Sequence, residues 1–219
     1  MCFSLAASVA GGLVISSIGV ASLKKVQAPS QFLLASVPLV FGIQQLSEGA
    51  VWLALGGPEY AHLEHYGMYT FLFIARVLWP ALVPLAVLRM EENPKRKKIL
   101  RVMLGMGLLV SLYYMYCLIF LNVAPNISGN HIQYISDFPE SLAVPVFIIY
   151  FLAGVPPLFV SSIKRTRLLG WLMFIACIIT GIFYVEYLTS VWCFFAAGVS
   201  VAVYWIIGKG KQRSIENLR

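Results

Sequence analysis

Seven runs of apolar residues, each about the length of a bilayer-crossing helix, dictate what this chain can fold into. They cover residues 2–23, 32–55, 66–88, 99–122, 142–163, 168–187 and 190–207. A helix needs about 20 mostly apolar residues to cross the hydrocarbon, where every backbone polar group must be satisfied internally. Read as one helix, 168–207 would be about 60 Å long, twice the hydrocarbon thickness. A turn is therefore placed near Thr189. With 60% of residues hydrophobic and 11% charged, the chain carries more apolar surface than a soluble core of its size can hide. The expected fold is an all-α integral membrane protein, a seven-transmembrane-helix bundle forming one domain over residues 1–219.

The basic residues set the expected orientation. Lys24 and Lys25 follow the first run. Arg89, Lys95, Arg96, Lys97, Lys98 and Arg101 follow the third, Lys164, Arg165 and Arg167 the fifth, and Lys209, Lys211, Arg213 and Arg219 the seventh. These are 15 of the 16 Lys and Arg, and seven crossings put them all on one side. The positive-inside rule makes that side cytoplasmic and the N-terminus external. Glu59, Glu64, Asp137, Glu140 and Glu186 fall on the opposite side. The first run lacks a basic leader and is followed by lysines, so it reads as a span rather than a cleavable signal. The net charge of +7 is explained by topology and anionic-lipid contact at residues 95–98, and no nucleic-acid motif accompanies it. Prolines within the runs (Pro38, Pro80, Pro84, Pro145, Pro156 and Pro157) are expected to kink helices. The polar stretch 125–139 is read as the longest outer loop.

Candidate chemistry concentrates in the outer half. Glu48 lies eight residues before Gly56, about 12 Å below the outer end of its helix. Gln44, Gln45 and Trp52 share its face at helical spacing. A carboxylate at that depth is costly unless paired or wet, so this face should point into the bundle. Arg76 is the one basic residue away from the basic loops, about 15 Å below the outer end of the third run. Glu48 and Arg76 are thus expected at similar depth, as an ion pair. Such a pair either locks two helices together or forms a substrate, proton or ion site, with Gln45 beside it.

Cys2 and Cys193 are placed near the outer surface, at the starts of the first and seventh helices. Three readings stand: a disulfide, a zinc site completed by Glu48, or two buried thiols. Cys117 and Cys177 are read as packing. His62, His65 and His131 fall in outer loops, and surface solvation accounts for them.

Met1-Cys2-Phe3-Ser4, Gly42-Ile43-Gln44-Gln45 through Glu48-Gly49 to Trp52, Leu78-Trp79-Pro80 and Val191-Trp192-Cys193-Phe194-Phe195 together resemble a family of bacterial multi-span membrane proteins of unknown function. The resemblance covers nearly the whole chain. It implies a bacterial envelope protein and brings no activity with it. Seven-helix zinc hydrolases carry three His within their spans, which this chain lacks. Retinal proteins need a Lys within the seventh helix, also absent here.

The expectation drawn from these residues is an enzyme of the bacterial inner membrane. Its partners are the lipid bilayer and a small-molecule or lipid substrate, with no nucleic acid, and Zn²⁺ is the cofactor its thiols would suit. A small-solute or proton transporter built on Glu48 and Arg76 is the alternative.

Overall fold

The computed structural model describes residues 4–129, 131–183 and 188–208, and only the backbone of 180–183 and 188–194. Within them, each of the seven apolar runs is helical. The elements are α1 (Leu5–Leu23), α2 (Phe32–Gly56), α3 (His62–Leu72), a π-helical segment (Phe73–Leu78), α4 (Trp79–Met90), α5 (Pro94–Phe120), β1 (Val123–Ser128), β2 (His131–Ser136), α6 (Glu140–Gly154), α7 (Pro156–Val160), α8 (Thr166–Phe183) and α9 (Leu188–Gly208). Among the described residues, four helical rods are long and apolar enough to cross a membrane: Leu5–Leu23, His62–Met90, Pro94–Phe120 and Glu140–Val160, the last with a break at Val155. Thr189, near which the sequence places a turn, lies in α9, which is helical from Leu188; residues 184–187 lie outside the described residues.

α1 and α2 form the tightest helix pair, and small residues make it possible. A Cβ on Gly19 would lie 2.5 Å from the Leu39 backbone nitrogen, and one on Gly42 would lie 2.8 Å from that of Ser16. Backbones at this separation gain close van der Waals contact, which drives helix association where lipid supplies no hydrophobic force.

The prolines act less uniformly than expected. Pro38, Pro84 and Pro145 lie inside continuous helices. Pro156 and Pro157 coincide with the break at Val155 that separates α6 from α7. Pro80 lies two residues past the end of the π segment, whose closing bond runs from the Trp79 N–H to the Ile74 carbonyl. Pro80 has no N–H to offer the carbonyl four residues earlier. The wider turn is a local solution to that missing donor.

The polar stretch read as an outer loop is a β-hairpin. β1 and β2 pair antiparallel from Val123↔Ser136 to Ser128↔His131. Gly129, at φ 61°, makes the turn. Asn122 donates its side-chain amide to Asp137 at 3.0 Å and closes the base. Sequence reading missed these strands because their alternation is short and polar. The hairpin packs down onto the helices: Ile132 is buried with Val51, Phe71, Leu72 and Leu118, and Tyr134 stacks on Phe71 at 5.1 Å.

The basic turns gather at the other end. Glu91 bonds to Ser162, Lys25 lies 3.6 Å from the centre of the Tyr204 ring, and Arg165 lies 5.4 Å from that of Trp205. These contacts bring the turns after α1, α4 and α7 to the same end of the bundle. The run 95–98, expected in a loop, belongs to the first turns of α5, which Asn93 caps by accepting from the Lys95 and Arg96 N–H groups.

Candidate functional site

The polar face of α2 is buried as its spacing requires. Gln44 is 3% exposed, and Gln45 and Glu48 are fully enclosed. Gln45 donates its amide to the Glu48 carboxylate at 3.3 Å, the i,i+3 contact expected on one helical face. Trp79 donates its indole N–H to the Gln44 side-chain oxygen at 2.7 Å, and its ring packs 4.2 Å from that of Phe41. Gln44, Gln45 and Glu48 each make a further interaction besides these. The Trp52 indole N–H, one turn beyond Glu48, is buried without an acceptor among the described residues.

Arg76 sits in the π segment. Its guanidinium lies 5.3 Å from the Tyr114 ring centre and 5.1 Å from that of Phe138. The segment's carbonyls find partners on other helices. Tyr150 donates its hydroxyl to Ala75 at 2.7 Å, and Ser111 donates to Val77 at 2.6 Å while also bonding Gly107. A Cβ on Gly107 would collide with the Pro80 carbonyl. Pro84 leaves that carbonyl without its usual helical donor, and α5 approaches over it.

Depth does not separate Glu48 from Arg76; direction does. The Gln44–Trp79 bond levels the two antiparallel helices. Glu48 is about 6 Å beyond Gln44, and Arg76 about 4.5 Å before Trp79, towards the same end. In a regular α-helix Arg76 would share the α2-facing side with Trp79, three residues on. The extra residue of the π turn shifts it by about 100°, and it faces α5 and the hairpin base instead. Among the described residues no ion pair joins Glu48 to Arg76, whose neighbours are aromatic.

Glu48 and Gln45 are therefore brought together, with Arg76 on a separate face. Cys2 lies outside the described residues, and of Cys193 only the backbone is described, so their meeting and a Cys2–Cys193–Glu48 metal site both fall outside them. Among the described residues no group of three or more His, Cys, Asp or Glu is placed to hold a metal. His65 packs on Tyr69 at 4.5 Å.

Sequence reading passed over Glu91, which lies among the basic residues and is 1% exposed. Its carboxylate accepts from the Ser162 N–H at 2.6 Å, the Ser162 hydroxyl at 2.7 Å, and the N–H groups of Asn93 and Glu92 at 2.9 and 3.0 Å. Burial pushes this carboxyl up; the bonds from Ser162, Asn93 and Glu92 outweigh it and hold it below the usual carboxylate range. The signal was the pattern Glu91-Glu92-Asn93-Pro94 before a helix, where a carboxylate can cap backbone N–H groups.

Chemically, the α2 face offers an enclosed carboxylate with an amide to orient it, and the π segment offers a guanidinium between two rings. The profile of a family of unknown function, DUF6629, matches residues 1–217, and the chain belongs to that family. No curated protein and no solved structure matches it.

Proposed function

We propose that this DUF6629 member is a seven-span protein of the bacterial inner membrane, with its N-terminus outside and its C-terminus in the cytoplasm. We further propose that it is a membrane-embedded enzyme whose outward-facing polar site takes a small anionic substrate or a lipid headgroup. The partition of Lys and Arg supports the orientation.

One observation carries the functional reading. Arg76 lies within a long apolar helical rod, flanked by Tyr114 and Phe138, with no carboxylate partner among the described residues. An intramembrane cation left to aromatic neighbours is suited to a phosphate or carboxylate brought by a ligand. In this reading Arg76 holds the anion from the π segment, while Glu48, oriented by Gln45 on the separate α2 face, is the general base or a metal ligand. Cys2 and Cys193 would join Glu48 around Zn²⁺, leaving one position open to water or substrate.

A second reading has its own support. Glu48 is fully enclosed, which suits a group reached by protons more than one reached by substrate. It favours a proton or small-solute transporter in which Glu48 is the titrating group.

Metal analysis of the purified chain, with ligand retention measured by native mass spectrometry, tests both. The enzyme reading expects stoichiometric zinc that is lost in Cys2→Ser, Cys193→Ser and Glu48→Gln. It also expects a co-purifying anionic ligand that is lost in Arg76→Gln. A metal-free protein that retains no anion, yet moves protons in liposomes until Glu48→Gln stops it, establishes the transporter instead.

A further inference from the structure

The basic end of the bundle holds an arrangement that a topology signal alone does not require. Two turns, one between α4 and α5 and one between α7 and α8, carry Arg89, Lys95, Arg96, Lys97, Lys98 and Arg101 on one side and Lys164, Arg165 and Arg167 on the other. Like charges at this density repel. Yet the turns are fastened together by the buried Glu91 carboxylate, which accepts from Ser162 on one turn and from Asn93 on the other. Arg96 adds a second fastening, donating from Nη1 to the Val160 carbonyl at 3.0 Å. Glu91 is committed to these bonds, and among the described residues none of the nine cations has an ion-pair partner.

Placement makes the imbalance worse. Lys95, Arg96 and Lys97 occupy the first turn of α5, where the helix dipole disfavours cations. The Asn93 side chain already accepts the Lys95 and Arg96 N–H groups, so the amides of that turn are partly occupied and the cationic side chains are what remains for a ligand. Lys95, Lys98, Lys164 and Arg167 are exposed. The turns terminate two rods long and apolar enough to cross a membrane, so these side chains lie at headgroup level when the rods span.

We propose that the paired turns 91–98 and 161–167 form a defined seat for the phosphate of an anionic phospholipid in the leaflet at that end. Glu91 and Ser162 build the seat without touching the lipid; Lys95, Lys98 and Lys164 supply its charge. This inference does not rest on the enzyme reading and concerns the opposite end of the bundle.

The test uses the full chain in a nonionic detergent. Phosphatidylglycerol, phosphatidylcholine and inorganic phosphate are titrated separately, following lipid adducts by native mass spectrometry and the midpoint of thermal unfolding. Phosphatidylglycerol is expected to bind in an adduct that survives dissociation of detergent and to raise the midpoint, while the other two leave it unchanged. Lys98→Gln/Lys164→Gln should weaken phosphatidylglycerol binding roughly 25-fold, at about fivefold per cation near a headgroup surface. Lys24→Gln, which also removes a cation from that end, should leave binding within about twofold. Equal binding of phosphatidylcholine overturns the proposal, as does equal protection by inorganic phosphate, which would make the seat one for a soluble anion. Equal weakening by Lys24→Gln would reduce it to diffuse surface charge.

Discussion

The indole N–H of Trp79 meets the side-chain oxygen of Gln44 at 2.7 Å, and this bond sets α4 against α2 inside the apolar core. Both groups are buried, so neither finds water if the other is removed. Trp79→Phe is expected to destabilise the protein by about 1–3 kcal/mol, the cost of a buried polar group losing its partner. Part of that is lost packing against Phe41. Pairing Trp79→Phe with Gln44→Met should recover some stability, because the oxygen that the indole served is removed with it. Unfolding midpoints of the single and double variants in detergent measure this, and a double variant equal to the sum of the singles shows that the bond contributes nothing.

Glu48 and Arg76 provide the contrary case. They reach similar depth but face different neighbours, so their stability effects should be independent. Glu48→Gln and Arg76→Gln should add to within about 0.5 kcal/mol, as uncoupled sites do. A coupling energy above about 1 kcal/mol in that cycle would mean the two side chains meet.

The π segment explains why the pair looked plausible in the sequence. Depth is legible from the position of an ionisable residue along an apolar run, and the buried Gln44–Gln45–Glu48 face followed directly from three- and four-residue spacing. Direction is legible only if the helix keeps its period, and Pro80 is the residue that spoils it here. The helical runs were legible because each must satisfy its own backbone in lipid. The hairpin at 123–136 was not, because its packing depends on Ile132 and Tyr134 meeting Phe71 on a distant helix. Glu91 was hidden by its company: amid so many cations it reads as a solvated charge, and only its contact with Ser162, 71 residues later, shows that it is structural.

Tyr150 tests whether the π segment depends on neighbouring helices. Its hydroxyl donates to the Ala75 carbonyl at 2.7 Å. Tyr150→Phe keeps the ring and removes that donor, and it should cost about 0.6 kcal/mol, the usual size of an interhelical hydrogen bond within a membrane. Ser111→Ala, which removes the donor to Val77, should cost a similar amount. Gly107→Ala should cost more, about 1–3 kcal/mol, because its methyl would overlap the Pro80 carbonyl and force α5 away. Unfolding midpoints of the three variants give the order, and a tolerated Gly107→Ala would show that the approach of α5 to Pro80 is looser than described.

Acid should open the basic end before it unfolds the bundle. Glu91 has a folded pKa below its ordinary value, so the folded protein binds its proton less readily than the unfolded chain does. The stabilisation is therefore fully present above the ordinary carboxylate pKa of about 4.3. It falls away as the pH drops through the lower folded value. Protonation puts a hydrogen on an oxygen that now accepts from Ser162 or Asn93, loosening the turns that hold Lys95–Lys98 beside Lys164 and Arg165, and the freed cations then repel one another. Hydrogen exchange at the Ser162 and Asn93 amides should accelerate below about pH 4 while α2 and α4 stay protected. Glu91→Ala should bring that fast exchange to neutral pH and destabilise the protein by about 1.5–3 kcal/mol, the worth of hydrogen bonds to a charged acceptor. Exchange at Ser162 that is independent of pH in this range, after correction for intrinsic rates, and unaffected by Glu91→Ala would show that the carboxylate does not hold the two turns together.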